Sequence, residues 1–222
     1  MRFFSVVLLF IAVCFLGGCI EANDNLSILK DGSCVDSRVL KIKTGLMSKI
    51  DSEEFKTPEK YGYEVRICTE KDQSIIYVTK RYEKVEDYYN TDMKIGENGA
   101  SFGDGEIEGK FSYINLFFFK QMKITEKIKP SIISHSDSSN LTDKFLTETR
   151  TIKMPYKITS SNADIVDDKE NIAKWTIDTQ RRNSEYVREV TCTDINYVFI
   201  IILISVIATV LILMQQKNTN NV

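Results

Sequence analysis

The sequence contains few of the residues that most often carry catalysis or bind metals. Its 222 residues include one histidine, one tryptophan, three prolines and five cysteines. The single histidine, His135, lies in a serine-rich polar stretch beside Asp137, where no scaffold orients the side chains as a Ser-His-Asp site requires. Because the chain has one histidine and widely spaced cysteines, we predict no metal site and no cofactor.

Motifs for nucleotides and calcium are also absent. The glycine-rich stretch 96–109 lacks a Gly-Lys-Ser/Thr ending and a preceding strand, so it is interpreted as a loop. The acidic cluster of Asp164, Asp167, Asp168 and Glu170 lacks the central glycine and the ligand spacing of a calcium loop, which favours a solvated turn. These absences together predict that the protein is not an enzyme.

The charge pattern disfavours nucleic acid as a partner. The formal net charge is −2, and the chain has no block of lysine and arginine that could neutralise a run of phosphates. We therefore expect a partner of another kind, and the sequence does not identify a protein partner.

The first 18 residues have the parts of a secretory signal. Arg2 gives a positive start, an apolar run follows, and Gly17 and Gly18 precede Cys19. Residues 16–19 (Leu-Gly-Gly-Cys) resemble the lipobox of bacterial lipoproteins, which predicts removal of residues 1–18 and a lipid on Cys19. An ordinary signal peptide that ends near a cysteine is the alternative.

A second apolar run near the C-terminus predicts a membrane-spanning helix. Residues 197–214 contain no charge, and a helix of that length is about 26 Å long, just enough to cross a hydrocarbon core. With an export signal upstream, residues 19–196 are expected to form one extracytoplasmic domain at the cell membrane, and residues 215–222 a short cytoplasmic tail. The membrane is thus the predicted partner at both ends, through the lipid anchor and the helix.

Three cysteines remain inside the predicted domain. Because Cys34, Cys68 and Cys192 are odd in number, they form at most one internal disulfide. Their spacing favours three isolated, small apolar residues. A Cys34–Cys68 disulfide is kept as the alternative.

Hydrophobic periodicity and turn residues predict an α+β domain: an antiparallel sheet with helices packed on one side, plus a single C-terminal transmembrane helix. The turn Lys30-Asp31-Gly32-Ser33 joins the strands of the first hairpin. The predicted elements are hairpins over 25–43 and 63–82, helices over 45–60 and around Val85, strands over 110–120, 144–158 and 173–178, and a short helix or stalk over 183–192.

The most apolar part of the domain is the stretch 111–119. As one strand it would place Tyr113, Phe117 and Phe119 on one face and further apolar side chains on the other. Both faces would then have to pack against other apolar groups. We favour packing of both faces against the rest of the domain's own core. A bound acyl chain in an apolar groove formed by Tyr113, Phe117 and Phe119, or the membrane itself, are the alternatives.

Several stretches resemble the LppM-type bacterial lipoprotein domain. The resemblance extends over nearly the whole chain and rests on Gly18-Cys19 with the Lys30–Ser33 turn, residues 62–66 (Gly-Tyr-Glu-Val-Arg), 75–78 (Ile-Ile-Tyr-Val), 154–164 and 173–178. It implies an antiparallel sheet with helices on one side and recognition of lipids or glycolipids, with no catalytic residues. The expected function is therefore a noncatalytic lipid- or glycolipid-binding module of the cell envelope. An envelope scaffold or protein-interaction module without a small-molecule ligand is the alternative.

Overall fold

The computed structural model describes residues 20–43, 59, 61–71, 73–91, 107–129, 146–178, 181 and 184–219. These residues form eleven strands and two helices. In chain order the elements are β1 (Ile20–Ile28), β2 (Cys34–Lys43), β3 (Glu64–Glu70), β4 (Gln73–Tyr82), α1 (Val85–Thr91), β5 (Ile107–Leu116), β6 (Phe119–Ile128), β7 (Leu146–Lys153), β8 (Lys157–Ser161), β9 (Ile165–Asp167), β10 (Ile172–Ile177), β11 (Tyr186–Ile195) and α2 (Tyr197–Thr219).

Seven strands form the larger sheet, called sheet A, in the order β3-β4-β2-β1-β7-β10-β9. Two hairpins build one half of it, since β1 pairs with β2 and β3 pairs with β4, both antiparallel. Gly32 turns the first hairpin at φ +86°, a conformation that favours glycine. Strand β7 then pairs with β1 in parallel, and this is the one parallel pairing among the described strands.

The other four strands form sheet B, in the order β5-β6-β11-β8, and every pairing is antiparallel. Burial alternates along β6, where Met122, Ile124 and Ile128 point inward and the intervening Lys123, Thr125 and Lys127 are only partly buried. Such alternation is typical of a sheet with one face on a core and the other in water.

The two sheets bury a shared core. Leu26 and Ile152 of sheet A pack in one cluster with Met122 and Val190 of sheet B, and Trp175 also belongs to it. Helix α1 closes this core, because Val85 and Tyr88 belong to the same cluster. A second, smaller cluster lies on sheet A alone and consists of Ala22, Leu40, Ile42 and Ile76.

Two observations, a contact between the sheets and a short chain connection, define the relative orientation of the strands in sheets A and B. Midway along the strands, Arg150 of β7 contacts Glu126 of β6. Toward the C-terminal end of β7, only three residues separate β7 from the start of β8, which pairs with the last part of β11. The C-terminal ends of β7 and β11 therefore point the same way, and α2 follows β11 directly.

The start of β1 lies at the opposite end of the domain. Ile20 pairs with Leu146 at the beginning of β7, and Asp24 pairs with Arg150. At about 3.3 Å per residue, Ile20 lies on the order of 30 Å from the start of α2, on the far side of Arg150. The turn between β3 and β4 lies at this distal end too, because Ser74 pairs with Ile42, the partner of Ile20.

The structure corrects the predicted fold class in two respects. The chain has two packed sheets and is mostly strand, whereas one antiparallel sheet covered by helices was expected. In the described residues only the short helix α1 packs against the sheets, while α2 continues away from them. The predicted hairpins over 25–43 and 63–82, the short helix at Val85 and the strand over 173–178 are confirmed.

Two individual elements also differ. The short helix or stalk predicted over 183–192 is strand β11, and the single strand predicted over 110–120 is two strands that reverse at Phe117 and Phe118. The helix predicted over 45–60, apart from Glu59, the serine-rich stretch around His135 and most of the loop over 96–109 lie outside the described residues.

Candidate functional site

The reversal between β5 and β6 forms an exposed apolar end, called the hairpin tip and defined here as residues 113–119. Leu116 pairs with Phe119, and Phe117 and Phe118 make the turn between them. Phe117 is 87% exposed, the highest value for a large apolar side chain among the described residues. Phe118, Leu116, Ile114 and Tyr113 are each nearly half exposed. Contiguous exposed apolar surface of this kind marks an interaction site more often than a solvated surface.

Asn196 connects the hairpin tip to helix α2. Its side-chain Oδ1 accepts a hydrogen bond from the backbone N–H of Phe199 at 3.1 Å, which caps the helix. Its own backbone N–H donates to the carbonyl oxygen of Phe118 at 3.0 Å. One residue therefore ends β11, begins α2 and holds the turn of the hairpin beside the first turn of the helix.

Aromatic stacking reinforces the same junction. The rings of Phe117 and Phe199 are 6.1 Å apart between centroids and inclined by 18°. This is an offset-stacked arrangement, which contributes beyond simple burial of apolar area. Phe117 is thus fixed at the level of the third residue of α2.

An open groove of about 390 Å³ lies between the hairpin tip and the start of α2. Leu116, Phe117 and Phe119 form its wall on the hairpin, and Tyr197 and Val198 form its wall on the helix. The volume is at the lower end of the range found for small-molecule sites.

Polar groups line the other edge of the groove. Lys120 and Asp194 are cross-strand partners in the β6–β11 pairing, and both line the groove with Asn196. A cation, a carboxylate and an amide beside aromatic walls make an amphipathic site. Such a site suits a ligand that is apolar over most of its length and polar at one end.

Helix α2 is long and apolar enough to cross a membrane. Its 18 residues from Tyr197 to Met214 are unburied, and it is the one described helix with this length and composition. Ser205 and Thr209 satisfy their hydroxyls within the helix by donating to the carbonyl oxygens of Ile201 and Ser205. The predicted span and the observed helix begin at the same residue.

The structure brings together two of the three residues predicted for an apolar groove. Phe117 and Phe119 line the groove at α2. Tyr113 lies on the other face of sheet B, because it pairs with the buried Met122, whereas Phe119 alternates with the buried side chains of β6. The sequence analysis did not identify Asn196 or Lys120 as site residues. The one sequence feature that could have indicated either of them is the position of Asn196 directly before an apolar run.

The three described cysteines are free thiols. Cys34 pairs with Tyr82 and Cys68 pairs with Ile75, seven residues away along β4. This spacing separates Cys34 and Cys68 by about 20 Å, far more than a disulfide spans. Burial raises the pKa of the Cys34 thiol to about 12 and that of Cys192 to about 11, so neither is a reactive thiolate.

A layer of charged side chains crosses the interior, well away from the groove. Glu126 of sheet B is fully buried, and its Oε1 accepts a hydrogen bond from Arg150 Nη2 of sheet A at 2.6 Å. Arg188 Nε lies 3.1 Å from Glu126 Oε2. Two tyrosines complete the layer, since Tyr89 donates to Glu126 at 3.2 Å and Arg150 donates to Tyr88 at 3.0 Å.

The charges of this layer compensate one another. Burial alone would raise the pKa of Glu126, but the Arg150 and Arg188 guanidiniums and the hydrogen bonds to the carboxylate hold it below its usual range. The carboxylate is therefore ionised at neutral pH. The charged layer is therefore an ion-pair network that joins the two sheets.

The acidic cluster has structural partners. Asp164 forms a two-point ion pair with Arg181 and accepts a hydrogen bond from the backbone N–H of Thr176. Asp167 accepts hydrogen bonds from the backbone N–H groups of Lys169 and Glu170, as in a turn. Within the described ranges no three His, Cys, Asp or Glu side chains converge as metal ligands.

Two predicted residues, Cys19 and His135, lie outside the described residues. The structure does describe Ile20, which follows Cys19 and begins β1 at the distal end of sheet A. Lipidation of Cys19 stays a prediction.

Comparison of the chain with protein-family models and with curated proteins gives no match. Among solved structures, the NMR structure of the folded domain of LppM from Mycobacterium tuberculosis is similar, with a TM-score of 0.45 and 11% identity. The alignment covers 81% of this chain and 92% of that chain. Membership of the LppM-type family stays a prediction, because a structural similarity of this degree does not show that two chains belong to one family.

Proposed function

We propose that this protein is a membrane-anchored extracytoplasmic module of the cell envelope that holds a lipid or glycolipid without catalysing a reaction. The observation that supports this most directly is the amphipathic groove between the hairpin tip and the first turn of α2. A site at that place opens where a membrane-spanning α2 leaves the bilayer. A lipid could therefore enter it without crossing water.

The groove residues suit the two parts of such a ligand. Leu116, Phe119 and Val198 offer apolar surface to an acyl chain. Lys120 and Asn196 offer N–H donors to a phosphate or a sugar hydroxyl. Lipids and glycolipids share this division into an apolar chain and a hydrogen-bonding head.

Lipid enrichment tests the proposal. The full chain is purified in nanodiscs formed directly from its own membrane, and its lipids are identified by mass spectrometry against those of empty nanodiscs. We expect one lipid class to be enriched with the wild type and to fall toward the background with Phe119→Ser. The matched control is Ile67→Ser, since Ile67 is 48% exposed on β3, away from the groove. If the lipids that copurify with the wild type have the same composition as those of empty nanodiscs, the proposal is wrong.

The membrane anchoring has its own test. With α2 across the membrane and the tail of residues 215–222 inside, a tag after Val222 should survive protease added to intact cells while the domain is degraded. Digestion of that tag contradicts the orientation. Labelling with a fatty-acid analogue, lost in Cys19→Ala, tests the lipid anchor separately.

A protein-interaction module is the second candidate. Strand β9 is an edge of sheet A, and it exposes Ile165 and Val166. Exposed edge strands with apolar side chains pair readily with another chain. In that case Val166→Asp should abolish a defined crosslink in cells and leave lipid enrichment unchanged.

A further inference from the structure

The hairpin tip exposes apolar side chains beside the first turn of α2. Phe117 is 87% exposed although it stacks on Phe199, so most of its ring has no partner within the described residues. Phe118 and Leu116 are also exposed beside it. Burial inside the domain therefore does not account for this surface.

The depth of the tip follows from its fixed contacts with α2. Phe199 is the third residue of the helix, so it lies about 3 Å along the helix axis from Tyr197. Phe117 stacks on Phe199, and the carbonyl oxygen of Phe118 accepts a hydrogen bond from Asn196. If α2 enters a bilayer at Tyr197, the tip reaches the same bilayer at the depth of the first turn of the span.

The chemistry around the tip matches a membrane interface. Tyr197 begins the helix, and Tyr113 is the residue of the hairpin tip farthest from its turn, so both rings are placed where amphipathic aromatics are favoured. Lys120 follows the tip directly on β6, and its long side chain can reach a lipid phosphate. Apolar residues at the turn, with amphipathic aromatic rings and a long-chain cation next to them, are the side chains that a bilayer surface favours.

We propose that the hairpin tip is a second membrane contact, in which Phe117, Phe118 and Leu116 insert into the interface of the leaflet that α2 enters. The inference rests on the proposed anchoring by α2. The occupant of this surface is the lipid bilayer, and its continuity with the helix that spans the bilayer carries the assignment. The tip and α2 together orient the domain so that the start of β1 and the β3–β4 turn point away from the membrane. This orientation excludes a lipid anchor at Cys19 in the same leaflet, because Ile20 begins β1 at the distal end, and fatty-acid labelling of Cys19 would therefore contradict it.

Tryptophan fluorescence in the full chain tests this depth. The wild type has one tryptophan, Trp175, which is 2% exposed in the core and gives a constant background. The variant Phe117→Trp is reconstituted in phosphatidylcholine vesicles that carry bromine at defined acyl positions. We expect a blue-shifted emission and a loss of fluorescence that is largest with bromine near the headgroup.

Two further variants make the result decisive. Glu70→Trp replaces an exposed residue beside the distal β3–β4 turn, and we expect no quenching above the wild-type background. Val206→Trp lies in the middle of α2, and we expect quenching by bromine deep in the bilayer. If Val206→Trp is quenched and Phe117→Trp behaves like Glu70→Trp, the tip is not inserted and this inference is wrong. If Val206→Trp is itself not quenched, the anchoring by α2 has failed instead.

Discussion

The buried charged layer and the exposed hairpin tip depart in opposite directions from the usual distribution of residues. Glu126, Arg150 and Arg188 are almost completely buried, whereas Phe117 is among the most exposed side chains of the described domain. The charged layer is compensated within the protein, by ion pairs and hydrogen bonds between the sheets. The tip has no such compensation within the described residues, and we propose that its partner is the lipid bilayer. In the first region the unusual placement is explained by contacts inside the protein, and in the second our proposal explains it by contact with the membrane.

The largest expected effect comes from removing the carboxylate of the charged layer. Glu126→Ala leaves Arg150 and Arg188 buried without the anion that both approach, and we expect the free energy of unfolding to fall by about 3–5 kcal/mol. Urea unfolding of the full chain in nanodiscs, followed by Trp175 fluorescence, measures it. Glu185→Gln is the matched control, because its pair with Lys127 is exposed and should contribute less than about 1 kcal/mol. Equal effects of the two variants would show that the buried network contributes no more stability than an exposed ion pair.

The stabilisation by Glu126 should depend on pH in a defined direction. Its pKa is lowered by folding, so its contribution is present above the unfolded value of about 4.3 and is lost as the pH falls toward the lower folded value. We expect the difference in unfolding free energy between wild type and Glu126→Gln to be constant from pH 7 to about pH 5 and to shrink below that. A difference that grows toward acid pH would show that Glu126 is not held as an ion pair.

A smaller effect is expected at the glycine beneath Tyr89. A Cβ added to Gly109 would overlap the ring of Tyr89, which donates its hydroxyl to Glu126. We expect Gly109→Ala to lower the free energy of unfolding by about 1–3 kcal/mol, because the ring must move and the hydrogen bond is disturbed. Gly109→Ala in a Tyr89→Ala background is the control, since the overlap is then absent. A full cost that persists in that background would contradict the overlap.

The smallest effect on stability is expected at the hairpin tip. Phe117→Asp places a charge on an exposed side chain, so the free energy of unfolding in detergent should stay within about 0.5 kcal/mol of the wild type. Unfolding of the domain by this substitution would mean that Phe117 belongs to a core. That result would remove the distinction between the two regions.

The charged layer also explains which strands the sequence pattern fails to predict. Strands β6 and β11 each carry one buried charge, Glu126 and Arg188, at a position where alternation requires an apolar residue. The two charges face each other in the β6–β11 pairing, and Arg150 of β7 supplies a second cation to Glu126. A pattern of apolar residues along one strand cannot reveal a partner on another strand, so β11 was predicted as a short helix or stalk.

The candidate site was predicted in part for a similar reason. The apolar character of Phe117 and Phe119 is evident in the sequence, but their position at a turn is not. No glycine, proline or asparagine occupies the turn at Phe117 and Phe118, and the reversal is held by Asn196, more than seventy residues later in the chain. Local turn chemistry was absent, so one continuous strand was the expectation.

The amino-acid sequence by itself determined the hairpins β1–β2 and β3–β4, the short helix at Val85 and the apolar helix that begins at Tyr197. These elements depend on local alternation, on a turn glycine and on the length of an uncharged run, which neighbouring residues supply. The tertiary structure alone decided the division into two sheets, the burial of Glu126 between Arg150 and Arg188, and the placement of the hairpin tip beside α2. Each of these depends on groups far apart in the chain, whose pairing energy exists only when the fold brings them together.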